Sequence, residues 1–380
     1  MFDIKLLNKI SQTGLSIFDE KYNCADDIEN PDAIMVRSAS LHDMELPSCL
    51  KAIARAGAGT NNIPIDRCSA QGIVVFNTPG ANANAVKELV LAALFLSSRK
   101  VYAGMQWVQG LKDNEGDVGK MVEKGKGAYV GPEIMGKTLG LVGLGAIGAL
   151  VANSAIALGM NVVGYDPFLT VNAALHLSPE VELVSNLDEL YAKADYISVH
   201  VPLNSDTKGF INKDSIAKMK DGVRLINFAR AGLIDDNDLI EALSSGKVSS
   251  YVVDFPTEAI LGVENVTAIP HLGASTPESE ENCARMAAVQ LKNFLETGNI
   301  KNSVNMPAFN VARPAGTKRV AVVFMSSADF DSIEADGAVN RASKIRGGWG
   351  YGVIDVTGDA QAVAEKAAAV QGVVRAFVIE

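Results

Sequence analysis

The sequence predicts an α/β protein with two doubly wound parallel sheets and a smaller α+β module near its C-terminal end. Three observations support this class. Short apolar strands alternate with amphipathic helices twice along the chain, a glycine-rich turn opens the second alternation, and a linker with Pro and Gly precedes a third, shorter pattern. With 380 residues, 48% of them hydrophobic, the chain is long enough to bury several cores.

Composition limits the kinds of function that this chain can have. The net charge of −10 disfavours a binding surface for nucleic acid or for an anionic membrane. The four cysteines are scattered without a C-x-x-C pair, which is typical of a reducing compartment and gives no metal-binding pattern. The first residues do not resemble a signal peptide, and no apolar run reaches membrane-spanning length. We therefore expect a cytoplasmic protein that acts on a small molecule and needs no metal.

The first alternation, in residues 1–80, predicts a small parallel-sheet domain. The expected strands are 4–7, 33–36, 53–56 and 73–77, and the expected helices are 15–22 and 65–71. Ligands of such sheets bind at the carboxyl ends of the strands. The candidate substrate contacts are therefore the turns Arg37-Ser38, Gly57-Ala58-Gly59 and Asn77 to Gly80. A long apolar helix is expected at 81–101, buried either in a core or in a domain or subunit interface.

The second alternation runs from residue 137 to residue 272 and predicts a larger parallel sheet. The expected strands are 139–143, 161–165, 181–183, 196–199, 224–227, 250–253 and 266–269, and the expected helices are 147–158, 187–193, 213–219 and 236–245. A further helix is expected at 277–298, opened by Pro277 and ended by Gly298. After a linker at 305–317, the pattern is roughly βαββαβ, with strands at 319–324, 352–356 and 373–379, a helix at 360–370 and an unassigned middle at 326–350.

The glycine-rich turn, Gly143-x-Gly145-x-x-Gly148, joins an apolar strand to a helix. In such a unit the first glycine permits the tight turn, the second lets the backbone approach a pyrophosphate, and the third lets the helix pack on the strand. Asp166 ends the next strand, 18 residues past Gly148, where a carboxylate accepts hydrogen bonds from ribose hydroxyls and repels a 2′-phosphate. The pattern predicts NAD. The alternative is a glycine turn of another α/β domain, or one that holds FAD or a methyl donor.

Three later positions have the residue types that acid–base chemistry needs. Arg230 follows a buried strand, and a guanidinium there can grip a carboxylate with two parallel hydrogen bonds. His271 also follows a strand and can act as an acid or a base near neutral pH. Glu258, in the run Asp254-Phe-Pro-Thr-Glu258, can hold the second nitrogen of the histidine. Together with a nicotinamide, these groups match removal of hydride from a carbon that carries a hydroxyl beside a carboxylate.

Each of these assignments has an alternative. A lone arginine often pairs with a structural acid, and His42, His176 and His200 compete with His271 for the role of base. His200 also ends a strand, but the adjacent Val201-Pro202 is interpreted as a wall of the cofactor site.

Several separated motifs resemble those of one family. They are Gly140 to Gly148, Tyr165-Asp-Pro167, His200-Val-Pro-Leu203, Asn227 to Asp235 and Pro270-His-Leu-Gly-Ala-Ser-Thr276. In this order, over residues 30–300, the chain resembles the NAD-dependent D-2-hydroxyacid dehydrogenases. The runs Arg55 to Ile63 and Asn77 to Asn82 favour the branch that acts on D-3-phosphoglycerate. The resemblance implies oxidation of D-3-phosphoglycerate to 3-phosphohydroxypyruvate with NAD, the first step of serine synthesis.

The resemblance also implies a domain organisation. It assigns a flavodoxin-like substrate-binding domain to residues 1–92 with 277–303, a Rossmann NAD-binding domain to 93–276, and an ACT-like module for regulation or dimerisation to 318–380. The family has its active site in a cleft that closes on the substrate. A homodimer or homotetramer is expected.

The resemblance assigns roles to individual residues. Arg230 is expected to bind the substrate carboxylate, His271 to be the acid/base, and Glu258 to be its partner. The positions expected to contact the cofactor are Gly143, Gly145, Ala146, Ile147, Gly148, Asp166, Val201, Pro202, Ala229, Arg230, Asp254, His271, Gly273 and Ala274. The positions expected to face the substrate are Arg37, Ser38, Ala58, Gly59, Asn82 and Arg230. Arg37 is the candidate for the phosphate, because two negative groups need two cationic partners.

Two departures from the family pattern leave questions open. The family usually has Asp-Val-Phe-Pro, whereas here Asp254 directly precedes Phe255 and Val253 takes the expected place of the aspartate, so a role for Asp254 beside the nicotinamide amide stays open. The loop Met325 to Phe330 lacks the His-x-Asn-x-Pro-Gly pattern that goes with serine binding, so the module either dimerises only or binds some effector. The alternative functions are oxidation of hydroxypyruvate-related, glycerate or 2-hydroxyglutarate substrates, or an NAD-sensing interaction module on the same fold.

Overall fold

A computed structural model describes residues 1–112 and 114–379 of the chain. It divides the chain into two compact units: residues 1–82 together with residues 277 onward, and residues 83–276. The break after Asn82 lies ten residues before the domain boundary that the resemblance implies.

The N-terminal part of the first unit is a five-stranded parallel sheet with the strand order β2-β1-β3-β4-β5. This is the order of flavodoxin-like doubly wound folds, which confirms the predicted class. The strands are β1 (Phe2–Leu7), β2 (Tyr22–Ala25), β3 (Ala33–Val36), β4 (Ala52–Arg55) and β5 (Val74–Phe76), and the helices are α1 (Gln12–Leu15) and α2 (Ile65–Ala70).

The helix predicted at 15–22 is wrong. Helix α1 ends at Leu15, and Tyr22 begins β2, which pairs in parallel with β1 at Phe2. Asp19 organises the turn between them, since its backbone carbonyl accepts the amide of Tyr22 at 3.0 Å and its carboxylate accepts the amide of Lys21 at 3.0 Å. The aromatic rings of Tyr22 and Phe2 stack with centroids 5.3 Å apart. Tertiary packing of an aromatic residue therefore overrides the local helical spacing.

The second unit is a seven-stranded parallel sheet with the order β12-β11-β10-β9-β6-β7-β8. The chain leaves β6 on one side and returns on the other at β9, so the order reverses beside β6, where doubly wound sheets bind ligands. The strands are β6 (Thr138–Val142), β7 (Asn161–Tyr165), β8 (Glu182–Leu183), β9 (Tyr196–Val199), β10 (Val223–Asn227), β11 (Val248–Val253) and β12 (Val266–Ala268). The helices are α3 (Ala83–Ser98), α4 (Val101–Gln109), α5 (Val118–Gly125), α6 (Ala146–Ala157), α7 (Val171–Ala174), α8 (Leu187–Lys193), α9 (Lys213–Ala217) and α10 (Asp236–Ser244).

The long apolar helix predicted at 81–101 corresponds to α3, which ends three residues earlier, at Ser98. The hydroxyls of Ser97 and Ser98 both donate back to the carbonyl of Leu94, at 3.0 and 2.6 Å, and α3 ends there. Serine hydroxyls that bond back to the preceding turn compete with the helical ladder, which explains the early end. Helix α3 packs in the core of the second unit against Leu141 and Ala152.

The chain returns to the first unit with a long helix and the C-terminal module. These elements are α11 (Pro277–Thr297), β13 (Lys318–Met325), β14 (Ala338–Arg346), β15 (Trp349–Val356), α12 (Ala360–Ala368) and β16 (Val373–Ile379). The four strands form an antiparallel sheet in the order β14-β15-β13-β16. The first helix of the predicted βαββαβ pattern is wrong, because the described residues have only a 3-10 turn at Phe330–Ser332 in its place. The predicted module ends at Glu380, which lies outside the described residues.

The C-terminal module shares a core with the rest of the first unit. Phe294 of α11 contacts Phe76 at 5.6 Å and Tyr351 at 6.3 Å between ring centroids. Arg319 is fully buried, forms a bidentate pair with Asp355 at 2.7 and 2.9 Å, and donates to the carbonyl of Thr297 at 2.7 Å. The module is therefore packed onto α11 rather than joined by the linker alone. No helix in the part of the chain that the structure describes combines the length and the apolar character needed to cross a membrane.

Candidate active site

The glycine turn between β6 and α6 has the geometry that the motif predicts. Gly143 has φ +95°, and a Cβ atom there would lie 2.7 Å from the carbonyl oxygen of His200. A Cβ at Gly148 would lie 2.1 Å from the carbonyl oxygen of Gly143, so only glycine lets the helix pack this closely. At Gly145, by contrast, no described atom lies within 4 Å of the Cβ position. The turn is therefore closed on its protein side and open where a pyrophosphate would approach.

Helix α6 begins directly at this open turn. Gly145 is its N-cap and has no side chain, and Ala146 and Ile147 follow, so no side chain of these residues caps the free amides of the first turn. Free N–H groups and the helix dipole favour an anion at this end. The residues present therefore fit the pyrophosphate of a dinucleotide.

Asp166 follows β7 and is tied to the glycine turn. Its Oδ2 accepts the backbone amide of Leu144 at 2.9 Å, and its Oδ1 accepts the amide of Phe168 at 2.9 Å. Each carboxylate oxygen has a second lone pair, so ribose hydroxyls can still donate to it. The carboxylate thus fixes the turn and keeps the acceptor capacity that ribose recognition requires.

Two of the competing histidines, His200 and His42, lie in settings that suit structural roles. Burial lowers the pKa of His200 to about 4, so its ring is neutral near pH 7, and its Nε2 lies 3.0 Å from the hydroxyl of Ser198. The adjacent Val201 faces Gly143, with its Cγ1 3.0 Å from the Cβ position of that glycine. His42 belongs to the first unit, where its Nε2 lies 2.9 Å from the carbonyl of Asn61. These environments favour His271 over His200 and His42 as the base.

Arg230 is presented by a rigid turn at the end of β10. The buried side chain of Asn227 accepts the amide of Ala229 at 3.1 Å and donates to the carbonyl of Arg230 at 2.9 Å. The Arg230 guanidinium is exposed and donates to the carbonyl of Ala229 at 2.6 Å. The backbone is therefore fixed while the cationic end faces solvent, where a carboxylate can reach it.

Phe255 joins Arg230 to His271. The Arg230 Cζ lies 5.4 Å from the centroid of the Phe255 ring, and the His271 ring lies 4.1 Å from it at an interplanar angle of 42°. The structure therefore brings the predicted arginine and histidine together around one aromatic ring. Sequence reasoning treated Phe255 only as a marker of spacing. The available signal was an aromatic residue two positions after the end of a buried strand and directly before proline.

Glu258 lies three residues after Phe255 in the chain. It is exposed and begins a 3-10 turn at Glu258–Ile260, which is preceded by a hydrogen bond of 2.7 Å from the Thr257 hydroxyl to Asp236. The pairing of the Glu258 carboxylate with the His271 ring stays a prediction.

Asp254 is the buried acid of this region, with 2% of its surface exposed. Burial raises the pKa of Asp254 to about 6, while the backbone amide of Gly273 and the charge of Arg230 act in the opposite direction. Its Oδ1 has no hydrogen-bond partner among the described residues. A buried carboxyl oxygen without a partner calls for a functional explanation.

The predicted substrate residues of the first unit lie at the carboxyl ends of its strands. Arg37, after β3, forms an ion pair of 2.5 Å with Glu280 of α11. Arg55, the last residue of β4, donates from its Nε to the carbonyl of Arg37 at 3.1 Å. Sequence reasoning quoted Arg55 only as part of a motif. Its position at a strand end was the signal that it belongs with Arg37.

The remaining predicted residues lie in the turns that follow β3, β4 and β5. The Ser38 amide donates to Asn8 Oδ1 at 2.9 Å, and the Asn77 side chain donates to the Ala58 carbonyl at 2.7 Å. Gly59 and Asn82 are half-buried in the adjoining turns. Within the described residues, no group of three His, Cys, Asp or Glu side chains is arranged to hold a metal ion.

Comparison with known proteins identifies the family. A family model described as "D-isomer specific 2-hydroxyacid dehydrogenase, NAD binding domain" matches residues 91–273. The chain is 34% identical over 354 residues to a D-3-phosphoglycerate dehydrogenase of Methanocaldococcus jannaschii, an alignment that covers 91% of this chain and 65% of that protein. It is 39% identical over 310 residues to a hydroxypyruvate reductase of Thermotoga maritima, which covers 77% of this chain and 94% of the relative.

A solved structure shows the same fold. The NAD⁺-bound 3-phosphoglycerate dehydrogenase of Entamoeba histolytica aligns with a TM-score of 0.61 at 27% identity, covering 80% of this chain and 98% of the other. This chain belongs to the family of D-isomer specific 2-hydroxyacid dehydrogenases, and residues 91–273 form its NAD-binding domain. The family and the cofactor predicted from the sequence are thereby confirmed. The chain spans 65% of the length of the M. jannaschii relative.

Proposed function

We propose that this chain oxidises D-3-phosphoglycerate to 3-phosphohydroxypyruvate, the first step of serine synthesis. The observation that carries the proposal is the group of Arg230, Phe255 and His271 at the same edge of the sheet as the glycine turn. Oxidation of a 2-hydroxy acid requires a cation for the carboxylate and a base for the hydroxyl proton. Bound NAD would supply the acceptor for the hydride.

The roles of the catalytic residues follow from this chemistry. Arg230 binds the substrate carboxylate through its exposed guanidinium. His271 accepts the hydroxyl proton as the carbonyl forms. Glu258 stabilises the resulting imidazolium.

We assign the cofactor contacts to the glycine turn and to the strand ends beside it. The amides of Ala146 and Ile147 bind the pyrophosphate, and Asp166 binds the adenosine ribose. The other residues that we assign to the cofactor site are Val201, Pro202, Ala229, Asp254, Gly273 and Ala274. We assign substrate binding to the first unit, through the strand ends around Arg37, and we retain a regulatory or dimerisation role for residues 318–380.

Arg37 is the residue that we assign to the substrate phosphate. In its ion pair with Glu280, each of the two side chains is 42% exposed. Such exposed pairs contribute about 0–1 kcal/mol to the free energy of unfolding. A phosphate, with a larger charge and several acceptor oxygens, can therefore displace Glu280. Arg55 holds the Arg37 carbonyl and places a second guanidinium at the same edge.

The test is NADH formation with D-3-phosphoglycerate and with unphosphorylated D-glycerate, for the native chain and for Arg37→Ala. We expect Arg37→Ala to lower kcat/KM about 10- to 100-fold for the phosphorylated acid, the effect of losing charged hydrogen bonds, and less than about threefold for D-glycerate. Glu280→Gln is the matched control, since it frees Arg37 and is expected to leave or lower KM for the phosphorylated acid. An equal loss with both acids would contradict the role of Arg37, and no turnover with any 2-hydroxy acid would contradict the proposed function.

A second candidate is reduction of hydroxypyruvate or oxidation of a related unphosphorylated acid. The observation that favours it is the identity of 39% to a hydroxypyruvate reductase, of which this chain covers 94%. The M. jannaschii alignment covers 91% of this chain and so includes part of the C-terminal module, which supports the phosphoglycerate proposal. A higher kcat/KM for D-glycerate than for D-3-phosphoglycerate in the same assay would favour the second candidate.

We propose that the protein is a cytoplasmic homo-oligomer. The free cysteines Cys24, Cys49, Cys68 and Cys283 support a reducing compartment. Helix α4 presents several exposed apolar side chains, which support self-association through this helix: Val101, Tyr102, Met105 and Val108.

A further inference from the structure

The turn that carries His271 is held in an unusual conformation. His271 has a backbone φ of +22°, a value that residues other than glycine rarely adopt. The turn is closed by the amide of Ser275, which donates to the carbonyl of Leu272 at 3.0 Å. Such a conformation persists only where the surrounding structure fixes it.

Asp254 contacts this turn at two points. Its backbone carbonyl accepts the amide of His271 at 2.9 Å. Its side chain faces Gly273, where the Oδ2 lies 3.3 Å from the position of a Cβ atom. Val86 of α3 packs against the same glycine, with its Cγ2 3.4 Å from that Cβ position. The turn is thus docked between a buried acid and a helix of the same unit.

We propose that Asp254 is a positioning residue that holds the turn at His271–Ser275 through Gly273 and thereby orients the imidazole for proton transfer. The proposal rests on the proposed function of His271 as the base. It explains why a carboxyl is kept in a site where only 2% of the residue is exposed, and why an apolar residue of similar size does not serve there. The required feature is an acceptor oxygen beside Gly273, not the negative charge.

The variants Asp254→Val and Asp254→Asn separate these two features. Valine has a similar size but no acceptor, whereas asparagine keeps an oxygen that can accept the Gly273 amide. We expect Asp254→Val to lower kcat about 10- to 100-fold, with a smaller change in KM, and Asp254→Asn to recover most of that loss. Val253→Ala is the control, because it truncates the adjacent buried residue of β11 without touching the turn.

Amide hydrogen exchange of the peptide that contains residues 271–276 is the direct readout. We expect exchange there to be at least about tenfold faster in Asp254→Val than in the native chain, and close to native in Asp254→Asn and Val253→Ala. Equal losses of kcat in the Val and Asn variants with native exchange at 271–276 would overturn the proposal, as would native kcat in Asp254→Val. If Asp254→Val does not fold, faster exchange at 271–276 in Asp254→Asn alone would overturn it.

The exchange experiment also separates this proposal from the proposed function. A native chain that shows no turnover with any 2-hydroxy acid would overturn the proposed function. The protection of residues 271–276 would still report whether Asp254 fixes the turn.

Discussion

Two buried carboxylates in this protein have opposite surroundings. Asp355 in the C-terminal module is fully buried, accepts two hydrogen bonds from Arg319 at 2.7 and 2.9 Å, and accepts a third from Asn340 at 2.7 Å. Asp254 in the second unit is almost as buried, but its Oδ1 has no partner among the described residues and its pKa is raised to about 6. Both carboxylate oxygens of Asp355 thus accept hydrogen bonds, whereas one oxygen of Asp254 has no partner among the described residues.

The difference teaches how to tell a structural acid from a functional one. A buried charge with a complete set of partners fixes one arrangement of the chain, here the contact of the module with Thr297 and Val311 through Arg319. A buried acid with an incomplete set has a perturbed pKa, and such groups cluster at functional sites. The following variants test this distinction, beginning with the histidine that the turn beside Asp254 carries.

The largest effect is expected for His271→Asn. Asparagine tolerates positive φ, so the substitution removes the base without breaking the turn. Loss of general-base catalysis should lower kcat about 10²- to 10⁴-fold, while the dissociation constant of NADH, measured by fluorescence, changes less than about threefold. His42→Asn is the matched control, since the ring of that histidine lies 2.9 Å from the Asn61 carbonyl and belongs to the first unit. Retained turnover in His271→Asn would exclude this residue as the base, and a native chain that binds NADH but turns over no 2-hydroxy acid would favour the NAD-sensing alternative.

The second effect concerns the satisfied acid. Arg319→Met leaves Asp355 buried without its ion-pair partner, which should lower the free energy of unfolding by about 3–5 kcal/mol. The double variant Arg319→Met/Asp355→Leu removes both charges and should recover most of that loss. Urea denaturation of the full chain measures both. If the double variant is as unstable as the single one, the hydrogen bonds of Arg319 to Thr297 and Val311, rather than the unpaired acid, account for the loss.

Much of the site could be predicted because its signals are local. The glycine turn, Asp166 and the strand ends that carry Arg230 and His271 follow from short-range pattern, and the parallel pairing of the strands follows from the alternation of strands and helices. The contact of Phe255 with both Arg230 and His271 could not be predicted, because it depends on how the ends of β10, β11 and β12 meet in three dimensions.

The errors have the same origin. The helical spacing at 15–22 is a local signal, and the pairing of Tyr22 with Phe2 overrides it. In the C-terminal module, the pairing of Arg319 with Asp355 could not be predicted, because partners 36 positions apart leave no trace in either strand's pattern. The positive φ of His271 likewise could not be predicted, because histidine at this position carries no local signal for it.

The smallest effect sharpens the comparison at Asp254 itself. The pKa of Asp254 is about 6 in the folded chain and about 3.8 in the unfolded chain, so the folded chain keeps the proton up to a higher pH. The contribution of this carboxyl to the free energy of unfolding therefore falls as the pH rises from about 4 to about 6, and it is constant above pH 6. Asp254→Asn removes this titration. Relative to the native chain, the variant should therefore gain on the order of 1 kcal/mol of unfolding free energy between pH 5 and pH 7.5, measured by urea denaturation at both values. The same substitution should have the opposite effect at Asp355, because that acid is paired with Arg319. Asp355→Asn breaks this ion pair, so it should destabilise the chain at both pH values. A gain for Asp355→Asn, or no pH-dependent gain for Asp254→Asn, would remove the distinction between the two acids.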